Sequence, residues 1–94
     1  MASEVELFMQ RAVDELLLAQ TDMRISQDTS VKEIFGIKSN KTFYHSVISH
    51  AYYSIFNAAK AYLWKKGIVT SLPGEHQKTF EKFKEQVDIG NLDK

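Results

Sequence analysis

The sequence predicts an all-α protein, an antiparallel (up-down) helical bundle forming a single domain over residues 1–94. Three observations carry this prediction. Residues 41–66 contain neither Pro nor Gly and are bracketed by Asn40 and Gly67. Residues 4–25 repeat apolar side chains at helical spacing behind an S-x-x-E start. Residues 75–87 do the same after the breaker pair Pro73 and Gly74. At this length only one modest core is affordable, with roughly 60–65% of the unfolded surface buried.

The first helix is predicted over residues 4–25. Ser3 and Glu6 form a capping box. Val5, Phe8, Met9, Ala12, Leu16, Ala19 and Met23 recur at helical spacing, and Val13 and Leu17 widen the stripe. Residues 26–40, SQDTSVKEIFGIKSN, are long for a bundle connection. Val31, Ile34, Phe35 and Ile37 suggest a short helical turn closed by Gly36. Its apolar side chains either cover the end of the core or form a partner-binding lobe.

The central helix is predicted over residues 41–66, with Asn40 as N-cap and Gly67 in the left-handed position after its end. At about 100° per residue its side chains sort into two stripes. Tyr44, Val47, Ile48, Ala51, Tyr52, Ile55, Ala59, Tyr62 and Leu63 make a wide apolar face, the expected intramolecular core. Ser46, His50, Tyr53, Asn57, Ala61 and Trp64 make the opposite stripe, which is uncharged and mixes aromatic, small and hydrogen-bonding groups. A solvated face would carry Glu and Lys. The second stripe is therefore the expected interface, and the place to look for function.

Gly67 to Gly74 form the next connection, and a third helix follows over about residues 75–87. His76, Phe80, Phe83 and Val87 form its expected inward stripe. Lys78 and Lys82, and Glu81 and Glu85, are like charges at i,i+4, so this helix depends on packing. The sequence then ends at GNLDK.

Composition bounds the function class. Apolar content is 44%, which argues against disorder. There are no cysteines, so disulfides and thiolate metal sites are excluded, and a reducing cytoplasmic setting is expected. The N-terminus lacks the basic and apolar regions of a signal peptide, and no apolar run approaches a membrane span. Net charge is zero but uneven: residues 1–40 hold four basic and seven acidic groups, and residues 41–94 hold eight and five. Lys38, Lys41, Lys60, Lys65 and Lys66 occupy a stretch without Asp or Glu. They either complement helix ends or make a mildly anion-friendly surface. No Gly-rich phosphate loop, carboxylate cluster or Ser-His-Asp pattern is present, so no cofactor or metal is expected.

SHAYYSIFNAAKAYLWKKGI, residues 49–68, resembles the central helix of the HEPN domain family. Small prokaryotic-type members read S-R-A-Y-Y-x-x-F-H-A-A-[KR]-A-hydrophobic, followed by K-G-I. The preceding helix and the later H-x3-F-x2-F pattern of His76, Phe80 and Phe83 also fit, so the likeness covers about two thirds of the chain. It implies an antiparallel helical bundle that dimerises through this helix, and often a metal-independent ribonuclease toxin paired with a nucleotidyltransferase antitoxin. It also implies a further helix after the third, so the expectation is that the polypeptide continues past Lys94 or that a partner completes the bundle. The family's catalytic signature is an Arg, four to six residues, then a His. Here His50 stands at the Arg position and Asn57 at the His position.

Metal-free RNA hydrolysis needs a proton-transfer group near the 2′-OH and a cation for the phosphate. His50 and Asn57 are the catalytic candidates, two turns apart on one face. An imidazole can serve as a base, but an amide cannot shuttle a proton. His50, Tyr53, Asn57, Lys60 and Trp64 are the binding candidates: Lys60 could hold a phosphate, and Trp64 could stack on a base or anchor a dimer. The competing reading makes His50, Tyr53 and Asn57 hydrogen-bonding residues of an interface. His45 is expected at the surface, His76 at a helix start or core edge, and Tyr52 and Tyr62 in the core. The expectation is a binding or assembly module with a degenerate ribonuclease site, acting as a homodimer, a nucleotidyltransferase partner, or a nucleotide or RNA binder. The alternative is an atypical ribonuclease using His50 at a dimer interface.

Overall fold

A computed structural model describes residues 3–71 and 74–90. Among the described residues there are four helices and no strands: α1 (Glu4–Gln27), α2 (Thr29–Ile34), α3 (Tyr44–Lys65) and α4 (Glu75–Asp88). The protein is an all-α helical bundle whose two long helices, α1 and α3, run antiparallel. Phe8 meets Trp64, Glu15 meets His50, Asp22 meets Ser46, and Ser26 meets Phe43. The segment after Gly90, where a further helix or a continuation was expected, lies outside the described residues.

Local chemistry sets most boundaries. Ser3 Oγ accepts from the Glu6 N–H at 3.1 Å and starts α1. Asp28 ends α1 and begins α2: its backbone N–H donates to Arg24 O, and its carboxylate accepts from the Val31 N–H. Gly67, at φ 80°, closes α3 with a Schellman pair, Ile68 N–H to Leu63 O and Gly67 N–H to Trp64 O. Gly36 closes α2 in the same way.

The start of α3 is corrected. The helix begins at Tyr44 behind Phe43, not at Lys41 behind Asn40. Residues 38–41 form a turn, with Lys41 N–H donating to Lys38 O. The buried Lys32 ammonium holds that turn by donating to Ser39 O at 2.7 Å. The Phe43 N–H, unpaired within its own helix, donates to Ser26 Oγ on α1.

The assignment of faces on the long helices is corrected in part: Phe8, Ala12 and Ala19 on α1 and Ala59 and Leu63 on α3 are buried as expected, but the bulkier members of both stripes are not. The buried core along α1 and α3 is rich in small residues, Ala12, Ala19, Ala59 and Ala61, together with Phe8 and Leu63, while Phe56 stacks on His76 of α4. Small side chains let two helix backbones approach closely, so the seam between them takes the narrow sides of both helices. The bulky aliphatics expected inside stay outside. Ile48 is 68% exposed and Ile55 is 61% exposed, and Met9, Leu16, Met23, Val13 and Leu17 are exposed on α1. Ile34 and Phe35 on and after α2 are exposed as well, so they do not cover the core end.

Helix α4 lies across α3. His76 and Phe80 pack on Tyr52 and Phe56, and Phe83 meets Tyr62 edge-on. Its most buried residue is Thr79, whose hydroxyl pairs with Thr70 at 2.6 Å. Val87, expected to face inward, is exposed.

The result is an extended molecule. The Cα radius of gyration is 16.7 Å, against about 12 Å expected for a compact domain of this length. No helix among the described residues is long and apolar enough to cross a membrane.

Candidate functional site

Four of the six residues of the second stripe of α3 turn toward α1 or pack within the chain, and the site around His50 is built at that seam. On α1, Glu15 and Asp22 sit seven residues apart, two turns on one face. On α3, Ser46 and His50 sit four apart. Antiparallel packing brings the four together. His50 Nδ1–H donates to Glu15 Oε2 at 2.5 Å, and His50 Nε2 lies 3.8 Å from Asp22 Oδ2. Ser46 Oγ donates to Asp22 Oδ2 at 2.6 Å. The three titratable side chains are each less than a third exposed. One turn further along, Ser54 Oγ donates to Ala12 O at 2.8 Å. His50 is thus a rung in a polar ladder that runs beside the apolar seam.

The other candidates are placed as follows. Asn57 Nδ2 donates to Tyr53 O at 2.9 Å, within its own helix. Tyr53 is exposed and meets Tyr52, Phe56 and His76 edge-on. Trp64 packs on Phe8 with ring centroids 5.9 Å apart, so this aromatic anchors α3 to α1. Lys60 is 7% exposed. Its ammonium pairs with Glu75 at the start of α4, donates to Thr70 O, and lies over the rings of Phe8 and Phe56. The structure brings His50 together with carboxylates, not with Asn57 or Lys60.

His45 is exposed, as expected. His76 sits at the core edge, stacked on Phe56 with centroids 4.0 Å apart, and shares a hydrogen bond with the Tyr52 hydroxyl. Tyr52, expected in the core, is exposed at the rim of this aromatic cluster. The lysines of the acid-free stretch do not converge. Lys38 and Lys41 precede α3 and Lys65 and Lys66 end it, roughly 33 Å away along the helix. Among the described residues, no three His, Asp or Glu side chains converge closely enough to hold a metal ion.

Glu15, Asp22 and Glu75 are not among the candidates that the sequence offers. The i,i+7 spacing of Glu15 and Asp22 beside the apolar stripe was the signal for the first two. Glu75 gave none, because its pairing depends on where α4 docks.

The chain matches no protein-family model, no curated protein and no solved structure.

Chemically, the His50 cluster holds one imidazole among two carboxylates and a serine hydroxyl already committed to one of them. It can bind and orient a proton. It offers no cation to a phosphate, and the charges nearest the imidazole repel one.

Proposed function

We propose that the chain is a binding and assembly module of HEPN type in which the ribonuclease signature has been converted into internal packing. One observation carries the reading: both signature positions are spent inside the chain, His50 on Glu15 and Asn57 on the backbone of its own helix. The resemblance of residues 49–68 supplies the family. Supporting the loss of chemistry, the groups around His50 are anionic, and Lys60 is buried and neutralised by Glu75. A phosphodiester needs positive charge to dock, and loss of an acid–base group removes about 10²–10⁴ in rate. The partners that fit this reading are those the resemblance implies for assembly: a second copy of the chain and a nucleotidyltransferase.

A second reading has one observation in its favour. A carboxylate on Nδ1 orients an imidazole and fixes its tautomer, as in hydrolytic dyads, and His50 has that partner in Glu15. It makes His50 the base of an atypical metal-independent ribonuclease. Incubating the protein with labelled RNA in EDTA separates the two. The module reading expects no cleavage above background. Cleavage by the wild type that vanishes in His50→Ala and falls in Glu15→Gln overturns it in favour of the enzyme.

A further inference from the structure

Beside the α1–α3 contact lies an open trough of about 770 Å³, where α1 ends, α2 begins and α3 starts. Ala19 and Met23 of α1 and Val47 of α3 give it an apolar floor. Gln20, Arg24 and Gln27 rim it along α1, and Asp28, Thr29 and Ser30 close one end. Away from that end the floor runs on along α1. Met9, Leu16 and Met23 are seven residues apart, so they share one face over roughly 21 Å. All three are exposed, Leu16 at 47%. The charged residues between them, Arg11, Asp14, Glu15 and Asp22, fall on other faces of the helix at about 100° per residue.

We propose that this trough binds a small amphiphile with a carboxylate head and an unbranched apolar tail. The head sits on Arg24, Thr29 and Ser30, and the tail lies over Met23 and Val47 and runs toward Leu16. The site is separate from the His50 ladder, and neither the assembly reading nor the fate of the ribonuclease signature enters it.

Size, polarity and charge select this occupant. The volume falls in the range of about 300–1,000 Å³ that small-molecule sites occupy. Hydrogen-bonding capacity is concentrated at one end, and much of it is uncommitted. The side chains of Gln20, Gln27, Thr29 and Ser30 make no hydrogen bond to another described residue. Arg24 is the only cation that lines the trough, and its side chain is 74% exposed. Asp28 is the only anion there, and it is engaged within the chain. One of its oxygens accepts from the Val31 N–H, and the other lies 3.9 Å from Arg24 Nε. The terminal nitrogens of the guanidinium are left to a ligand. Their planar fork matches a carboxylate, which can accept two parallel bonds from it. The Thr29 and Ser30 hydroxyls can donate to the same head. Met is flexible and polarisable, so a floor of Met23 accepts a plain hydrocarbon tail without demanding a particular shape. Lys65 lines a smaller cavity at the far end, with Met9 and Ala58, where no hydroxyl or amide side chain joins it.

The test is titration of the isotope-labelled chain with decanoate at neutral pH, below the concentration at which decanoate forms micelles, followed by amide chemical shifts. Saturable shifts are expected at Met23, Gln27 and Val47. Acetate, which has the head alone, should give none at the same concentration. Decylammonium, which has the same tail and the opposite charge, should bind at least about tenfold more weakly. Arg24→Gln should weaken decanoate at least about tenfold, the loss of a hydrogen bond to a charged group. Met23→Glu should do the same by placing a like charge under the tail. Both side chains are exposed, so the variants keep a helical spectrum. Lys65→Gln should leave the affinity unchanged. Three results would each overturn the proposal: no saturable shift, decylammonium binding as tightly as decanoate, or weakening by Lys65→Gln in place of Arg24→Gln. Shifts along the trough that follow protein concentration and ignore decanoate would give it to a second copy of the chain, and would overturn it too.

Discussion

Replacing Lys60 with Met should destabilise the protein by about 3 kcal/mol. The substitution removes the ammonium and keeps an unbranched stem of similar length, so packing on Phe8 and Phe56 is largely retained. What is lost is the pair with Glu75, the hydrogen bond to Thr70 O and the attraction to two aromatic faces. Breaking a buried ion pair by deleting one partner costs about 3–5 kcal/mol, because the other charge is left without compensation. The Glu75 side chain is 24% exposed, so water can partly replace the lost partner, which sets the low end of that range. For a domain of this size the total stability is about 5–14 kcal/mol, and the loss should lower the melting midpoint by roughly 12–24 °C. Urea unfolding followed by helical circular dichroism, at fixed protein concentration because any dimer couples to stability, measures it. The double variant Lys60→Met with Glu75→Gln should recover about 2 kcal/mol of the summed single losses. A Lys60→Met protein within about 0.5 kcal/mol of the wild type would refute the view that Lys60 ties α4 to the bundle, and would return it to the pool of free phosphate ligands.

Two further outcomes follow from the joints of the fold. Ser26→Ala deprives the Phe43 N–H of its acceptor at the start of α3 and should cost about 1–2 kcal/mol, with faster hydrogen exchange at the Phe43 amide as its local signature. Gly67→Ala meets no atom within 4 Å of the new Cβ, so its cost is conformational alone: φ is 80° there, and about 1–2 kcal/mol is expected for an L-residue, read as a shifted urea midpoint with an unchanged slope.

Much of the helical framework was legible in the sequence because it is local. Ser3 caps α1, Gly36 and Gly67 supply the left-handed residues that Schellman ends require, and Gly74 separates α4 from what precedes it. Those decisions involve residues within about one turn of each other. The start of α3 escaped this logic because it is not local: Ser26, seventeen residues earlier, holds the Phe43 N–H, and Lys32 holds Ser39.

The inside and outside of α3 were not legible, and the reason is physical. The helix carries no charge between Tyr44 and Ala59, so hydropathy is nearly level around its circumference. The bulkier stripe looked like core because it holds more apolar area. The structure instead settles much of the narrow stripe against α1, where Ala12, Ala19 and Ala61 permit close approach and where Glu15 and Asp22 receive His50 and Ser46, while of the bulkier stripe Ala59 and Leu63 are buried and Ile48 and Ile55 are not. Burying His50 and Ser46 without those carboxylates would have been costly, and nothing within α3 reveals that they are supplied from α1. The sequence by itself therefore determined which segments are helical and where most of them stop, since caps and breakers act over a few residues. Only the tertiary structure decided which way α3 turns, because that choice depends on hydrogen-bond partners that lie 24 and 35 residues away.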